Sequence, residues 1–447
     1  MLSDAAKELK LGQFLKKSNF SKTKGVSITS LLMVLVSLVF YSKNLFQYLH
    51  SKYGENAACK NTYYRLLTNP SYNWPKLLLT FAINVISFFI PLTAPSRAKV
   101  LILDDTPIVK NRSKHMELLS RAHNHVNNTF YKGFTCLTLG WSDGYSFVPL
   151  SFNLLSSANE KNRINPCSES IDKRSNGYKI RILSQMHKPD AAYLMIKNAL
   201  NKGCLADYVL MDSWFTSEPL ISKLVEEGLD VIGMLKSCNN QYWYKGKLLK
   251  LKQLWQFVSH KKSCSDIYGS LLVHTSKNKI PLKIVFVKNC ANPSEFLCIA
   301  STKITLNSKE IIRLYGRRWQ IETFFKNAKS LLRFGHDCES TNYGALVASS
   351  TIVFIRYILL EFLRRKENDT KTLGSLFAYV CDDLPDIPYA EAIKYIGAIF
   401  NRIVQYIKGK TKKLQEFMSD VVCQVNNWFL SLPSYIKVLL PNFSWES

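Results

Sequence analysis

Between Arg97 and Leu235 the chain alternates short, strongly apolar runs with amphipathic ones, and this alternation restricts the folds open to it. KVLILD104, GFTCLTLGW and YSFVPLSFNLL read as three strands, the last two joined by the turn residues Ser142, Asp143 and Gly144. The polar stretch 156–175 reads as an exposed loop. PDAAYLMIKNALNKG reads as a helix with a proline start and a glycine stop. YVLMD212 follows as a fourth strand, SEPLISKLVEEG as a helix and DVIGML as a fifth strand. The order βββαβαβ demands crossover helices, so the expected class is α/β with a partly parallel, mixed sheet flanked by helices.

The flanking segments differ in texture. Residues 1–95 alternate apolar helical runs with basic stretches such as KKSNFSKTK, and are expected to form a helical, DNA-binding region. Within them AACKNTYYRLLTNP suggests a turn feeding a helix that carries Lys60, Thr62, Tyr63 and Arg65. That helix suits recognition in a helix-turn-helix, and equally an ordinary amphipathic helix with Tyr and Leu inward. The α/β core is expected over 96–237, interrupted at 238–307 by a β-rich insertion (YWYKGKLLKL, SLLVHT, IPLKIVFVK, EFLCIASTK). It resumes at 308–340 with one helix, SKEIIRLYGRRWQIETFFKNAKSLL, with Ser308 as N-cap and Glu310 in the first turn. Residues 341–447 are expected to be helical.

Composition narrows the partners. Against 33 Asp and Glu stand 59 Lys and Arg, a net charge of +26, which draws polyanions and makes their binding salt-dependent. A hydrophobic content of 47% argues against global disorder. The 11 cysteines are scattered singly from Cys59 to Cys423, so free thiols in a reducing compartment are expected rather than disulfides or zinc. His123 and His125 have no cysteine at finger spacing, so a metal site is not expected there. Residues 77–96 carry no charge, yet Pro91 leaves about 14 helical residues before it, roughly 21 Å against a hydrocarbon core of about 30 Å. The runs at 31–41 and ALVASSTIVFI also read as buried helices, and MLSDAAKELK is not followed by a signal-peptide pattern. No membrane association is expected.

The chemistry concentrates in Tyr315, Arg318, Glu322 and Lys329, spaced Y-x2-R-x3-E-x6-K. On one continuous helix, residues seven apart fall about 20° from alignment, so a carboxylate lies between cations and a phenol. Asp104 and Asp212 end apolar strands, where an open sheet gathers its ligands. Three converging carboxylates would hold their protons until divalent cations neutralise them, and Mg²⁺ is the hard ion that suits this set. Arg318 would then grip phosphate as a fork and Lys329 as a point charge. Asp104 and Asp105 face opposite ways on a strand, so one of them serves, and Asp104 is preferred. Any of these residues alone reads more often as a turn former or part of a solvated helix face. The combination does not.

Together these residues resemble the insertion-sequence DDE transposases of the RNase H-like superfamily, in the branch marked by the YREK string. An aspartate-x-threonine pattern matches at Asp104-Asp105-Thr106, and a strand-aspartate-serine-aromatic pattern at VLMD212-Ser213-Trp214. The resemblance implies an RNase H-like core with a β-rich insertion. It implies catalysis by Asp104, Asp212 and Glu322 holding Mg²⁺, with Mn²⁺ as a substitute, and phosphate binding by Tyr315, Arg318 and Lys329. The partners implied are double-stranded DNA, as terminal inverted repeats and target, and a second copy in a synaptic dimer. Cleavage at the ends, joining of 3′-hydroxyls and a prokaryotic cytoplasmic, nucleoid-associated location follow from it. Members of the family commonly pass through a hairpin intermediate with a flipped base on an aromatic of the insertion. Trp243 suits that role, or a β-core aromatic cluster. Two other readings stay open: a nuclease of this fold without strand transfer, and a domesticated DNA-binding protein without catalysis.

Overall fold

The computed structural model describes residues 1–124, 128–236, 240–258, 266–289, 292, 295–336, 338–366 and 372–381, with 416, 419 and 423. Among the described residues eleven strands form one mixed sheet: β1 (Val100–Val109), β2 (Ser120–Asn124), β3 (Thr129–Ser142), β4 (Phe147–Leu155), β5 (Tyr208–Met211), β6 (Asp230–Leu235), β7 (Gln241–Tyr244), β8 (Lys247–Lys250), β9 (Ile267–Thr275), β10 (Pro281–Lys288) and β11 (Phe296–Ser301). The order is β2-β3-β1-β5-β6-β11-β10-β9-β7-β8, with β4 on β3. β1, β5 and β6 run parallel, while β3 runs antiparallel to both β1 and β4. The core order β4-β3-β1-β5-β6 is the RNase H-like arrangement expected.

Val100–Leu103 and Val209–Met211 are fully buried, as strands covered on both faces must be. The crossover from β5 to β6 is the helix Glu218–Glu226, and the one into β5 is the helix Lys188–Asn201, with Pro189 in its first turn.

Three details depart from expectation. A short strand, β2, precedes β3, making the strand before Asp212 the fifth. The helix Asn176–Leu183 follows the polar loop. Asp104 does not end its strand: β1 runs on to Val109 because β3 stays paired with it as far as Val109↔Gly133. What ends near Asp104 is the parallel neighbour, whose last partners are Leu103↔Met211.

The β-rich segment extends the core sheet, since β11 pairs antiparallel with β6. It also has its own apolar cluster around Leu254, Val273, Ile284 and Phe286, edged by Trp255 stacked on Phe296 at 4.5 Å.

Two helices, Trp74–Leu92 and Tyr343–Lys366, are long and apolar enough to cross a membrane, and 94% of the second's apolar window is buried inside the protein. Arg356 on that helix is 2% exposed and donates to the carbonyls of Leu35, Val36 and Leu332. Such internal pairing marks Tyr343–Lys366 as a core helix. His125 and nearly all of 382–447 lie outside the described residues.

Candidate active site

The parallel register that pairs Leu103 with Met211 makes Asp104 and Asp212 the next residues on adjacent chains, about 4.8 Å apart at the backbone. Asp212 opens a tight turn. Its Oδ1 accepts from the N–H of Trp214 (3.0 Å) and Phe215 (3.3 Å), and its carbonyl accepts from the Thr216 hydroxyl (2.6 Å). These bonds aim the carboxylate back over the sheet end.

Glu322 arrives on a broken helix. The expected continuous helix is two, Ser308–Gly316 and Trp319–Ser330, and the first is capped by the side chain of Asn307 rather than Ser308. At the joint Arg317 and Arg318 donate to carbonyls three residues back, a tighter turn than the α-helix makes. Gly316, a poor helix former, sits at the break. The shared-face argument for Tyr315, Glu322 and Lys329 therefore fails in its literal form. The tertiary packing brings the residues together instead.

Arg318 is the hub. Its Nη1 donates to Asp104 Oδ2 at 2.8 Å and its Nη2 to Glu322 Oε1 at 2.5 Å, so one guanidinium ties two of the three acids. Its carbon lies 5.9 Å from the centre of the Tyr315 ring. Lys329 donates to the Thr106 hydroxyl at 2.6 Å, two residues along β1 from Asp104 and on the same face.

Burial pushes the Asp104 carboxyl up to about 7, against the opposing pull of Arg318 and with a further push from Asp212. Asp212 is raised too, by burial first. The phenol of buried Tyr315 is pushed up to about 12 by burial, so it stays protonated. Burial also lowers the Lys329 ammonium.

Asp105 faces the other side, as alternation requires, and its Oδ2 accepts from Lys188 at 2.5 Å. Lys188 lies 4.1 Å from the centre of the Trp214 ring. Sequence reasoning missed Lys188, because a lone lysine before a proline at a helix start carries no signal of its own.

The acids offer only oxygen ligands, which suits a hard divalent ion. Among the described residues no three His, Cys, Asp or Glu side chains stand close enough to hold a metal as they are. The positive charge between Asp104 and Glu322 is that of Arg318, so admitting an ion requires Arg318 or Glu322 to turn aside.

Two other expected groups stand apart. Trp243 lies on β7, six places along the sheet from β1; its indole N–H donates to the Ser276 carbonyl at 3.1 Å and Lys279 covers its ring at 3.5 Å. In the helix Lys60–Thr68, Lys60 and Arg65 are exposed and Thr62 half-buried, but Tyr63 is 1% exposed and faces inward with Leu66. Tyr63 is thus a packing residue, and the outward aromatic is Tyr64.

Residues 55–248 match the family model described as DDE superfamily endonuclease, and residues 167–358 the one described as transposase DDE domain. The chain is similar to DDE endonuclease and transposase domains. Asp104 and Asp212 lie within the first match, Asp212 and Glu322 within the second. A search of curated proteins gives no match. Among solved structures, the piggyBac transposase synaptic complex with hairpin DNA aligns with a TM-score of 0.46 at 10% identity, covering 92% of this chain and 81% of that one.

Proposed function

We propose that the protein is a DNA transposase of the YREK branch, cutting transposon ends and joining 3′-hydroxyls to target DNA through Asp104, Asp212 and Glu322. The observation that carries this reading is the convergence of two adjacent strand aspartates with Glu322, tied to Asp104 through Arg318. Asp104, Asp212 and Glu322 would hold Mg²⁺ or Mn²⁺, which when bound sharpens the attacking oxygen and stabilises the leaving one. Arg318, released from the acids, would turn its fork to the phosphate, and Lys329 would hold a second phosphate oxygen. Tyr315, protonated throughout, would donate a hydrogen bond at the same group. The partners proposed are double-stranded terminal repeats, target DNA and a second copy of the chain.

Incubation with Mg²⁺ and DNA carrying the repeats that flank the coding region should give nicks at the repeat ends. Asp212→Ala should abolish nicking and leave DNA affinity within about twofold, because ligation of the ion and contact with the phosphate backbone are separate functions. Nicking by the variant at the wild-type rate would overturn the assignment. Trp243→Ala should slow hairpin formation more than the first nick; equal slowing would reduce Trp243 to packing.

A further inference from the structure

On the side of the helix joint away from the acids lies a pocket of about 490 Å³ lined by Arg97, Arg313, Arg317, Gly144, Tyr145 and Trp319, among others. Its volume falls in the range of about 300–1,000 Å³ common for ligand sites. Arg317 and Arg318 are consecutive, yet the joint sends them apart. Arg318 goes to the acids, while Arg317 donates to the Ala98 carbonyl at 2.5 Å, just before β1.

The pocket is built rather than incidental. Gly144 has φ +88°, a backbone conformation that side-chain-bearing residues rarely adopt, and the Arg317 guanidinium carbon lies 2.9 Å from where its Cβ would be. The turn is fixed by Asp143, whose Oδ1 accepts from the N–H of Tyr145 and Ser146 and whose Oδ2 pairs with Arg365 at 2.9 Å. Gln320 on the glutamate helix bonds the turn through Ser142 and the Gly144 carbonyl.

The charge inside is not balanced. Arg313 pairs with Glu310 at 2.5 Å, and Asp143 is committed to Arg365 and Thr93. Arg97 bonds through its backbone N–H to the Ala94 carbonyl, and among the described residues its guanidinium has no hydrogen-bond or ion-pair partner. Burial first, then the charges of Arg313 and Arg97, lower the affinity of Arg317 for its proton against the opposing pull of Asp143 and Glu310. Three guanidinium groups held together against their repulsion suit an anion of forked, oxygen-rich geometry. The exposed rims of Trp319 and Tyr145, 66% and 43% accessible, leave the mouth open to a long ligand.

Six residue-to-residue steps of nearly extended chain lead from Ala98 to Asp104, on the order of 20 Å. At about 3.4 Å per nucleotide along a duplex, that is roughly six base pairs. We propose that Arg97, Arg313 and Arg317 form a second phosphate site, which grips the backbone of the DNA about six base pairs from the phosphodiester at the acids. This rests on the DNA reading above, so the test must separate the two.

Binding of a fluorescein-labelled duplex of about 30 base pairs, carrying the flanking repeat, is measured in EDTA across a salt series. The Arg97→Ala, Arg313→Ala double variant should reduce the slope of log affinity against log salt by about 2, with an unchanged melting temperature. A control lacking two exposed cations elsewhere, Arg174→Ala with Lys202→Ala, should keep the wild-type slope. Phosphate ethylation interference should lose its signal roughly six nucleotides from the cut in the double variant alone. A slope change under about 0.5, or an equal loss in the control pair, overturns the site. Because no step is catalysed in EDTA, an inactive wild type would sink the transposase reading and leave this result standing.

Discussion

Asp104 releases its proton near pH 7, where an unfolded aspartate does so near pH 3.9, and the difference fixes a sign. The folded protein binds that proton more tightly, so the group costs stability as pH rises from about 4 to 7, and the full cost persists above. In metal-free protein Asp104→Asn should therefore raise the melting temperature at pH 8 by several degrees, on the order of that expected for a few kcal/mol. At pH 4 it should leave the temperature unchanged. A differential scan at both values tests this, and an equal shift at both would show that packing alone had changed. Glu117 has the opposite sign. Burial would raise its carboxyl, but bonds from Arg181 at 2.6 and 2.7 Å and from the N–H of Ser168 and Tyr343 hold it low. Its contribution is present above about pH 4.5 and fades as pH falls below. Arg181→Ala would strand that buried carboxylate and should cost about 3–5 kcal/mol in urea unfolding at pH 7.

At the scale of elements, what was legible in the sequence and what was not divides along physical lines. Apolar runs ending in Asp104 and Asp212 announced buried strands, because parallel strands covered on both faces leave little room for polar residues. The continuation of β1 was hidden, since Asp-Asp-Thr-Pro carries turn chemistry that only pairing with β3 overrides. The helix break was hidden as well: Gly316 lowers helix propensity, but the opposite pulls on Arg317 and Arg318 come from residues over 200 positions away. Tyr63 went inward because Leu66, one turn on, shares its side. The face that remains outward includes Cys59, Lys60 and Arg65. The Cys59 thiol is exposed and held below its ordinary range, first by its bond to the Thr62 hydroxyl. If this face meets DNA, duplex should slow alkylation of Cys59 by iodoacetamide at least severalfold, followed by peptide mass spectrometry. Buried Cys136 and Cys204, both pushed up to about 12 by burial, should stay unreactive throughout. Unaltered Cys59 labelling with DNA present would remove this helix from the interface.

Across the whole molecule, one buried cation links an N-terminal helix to the chain that follows the glutamate helix. Arg356 reaches the end of the helix Ile28–Ser37 through Leu35 and Val36, and the chain after Trp319–Ser330 through Leu332. Arg356→Ala would leave those carbonyls without it in the interior and should cost several kcal/mol, measured as a lower urea midpoint. Loss of cleavage should accompany it, because the same residue steadies the helix that carries Glu322. A variant with wild-type midpoint would show that water replaces the guanidinium.

The joint at Arg317 and Arg318 has one more consequence, which concerns length rather than chemistry. Each residue added between Tyr315 and Trp319 would shift and rotate the helix that follows the joint. Glu322 would swing away from its aspartates, and Arg318 would lose its bridging position. An insertion or deletion there would disable both arginine sites at once, whatever side chains it carried.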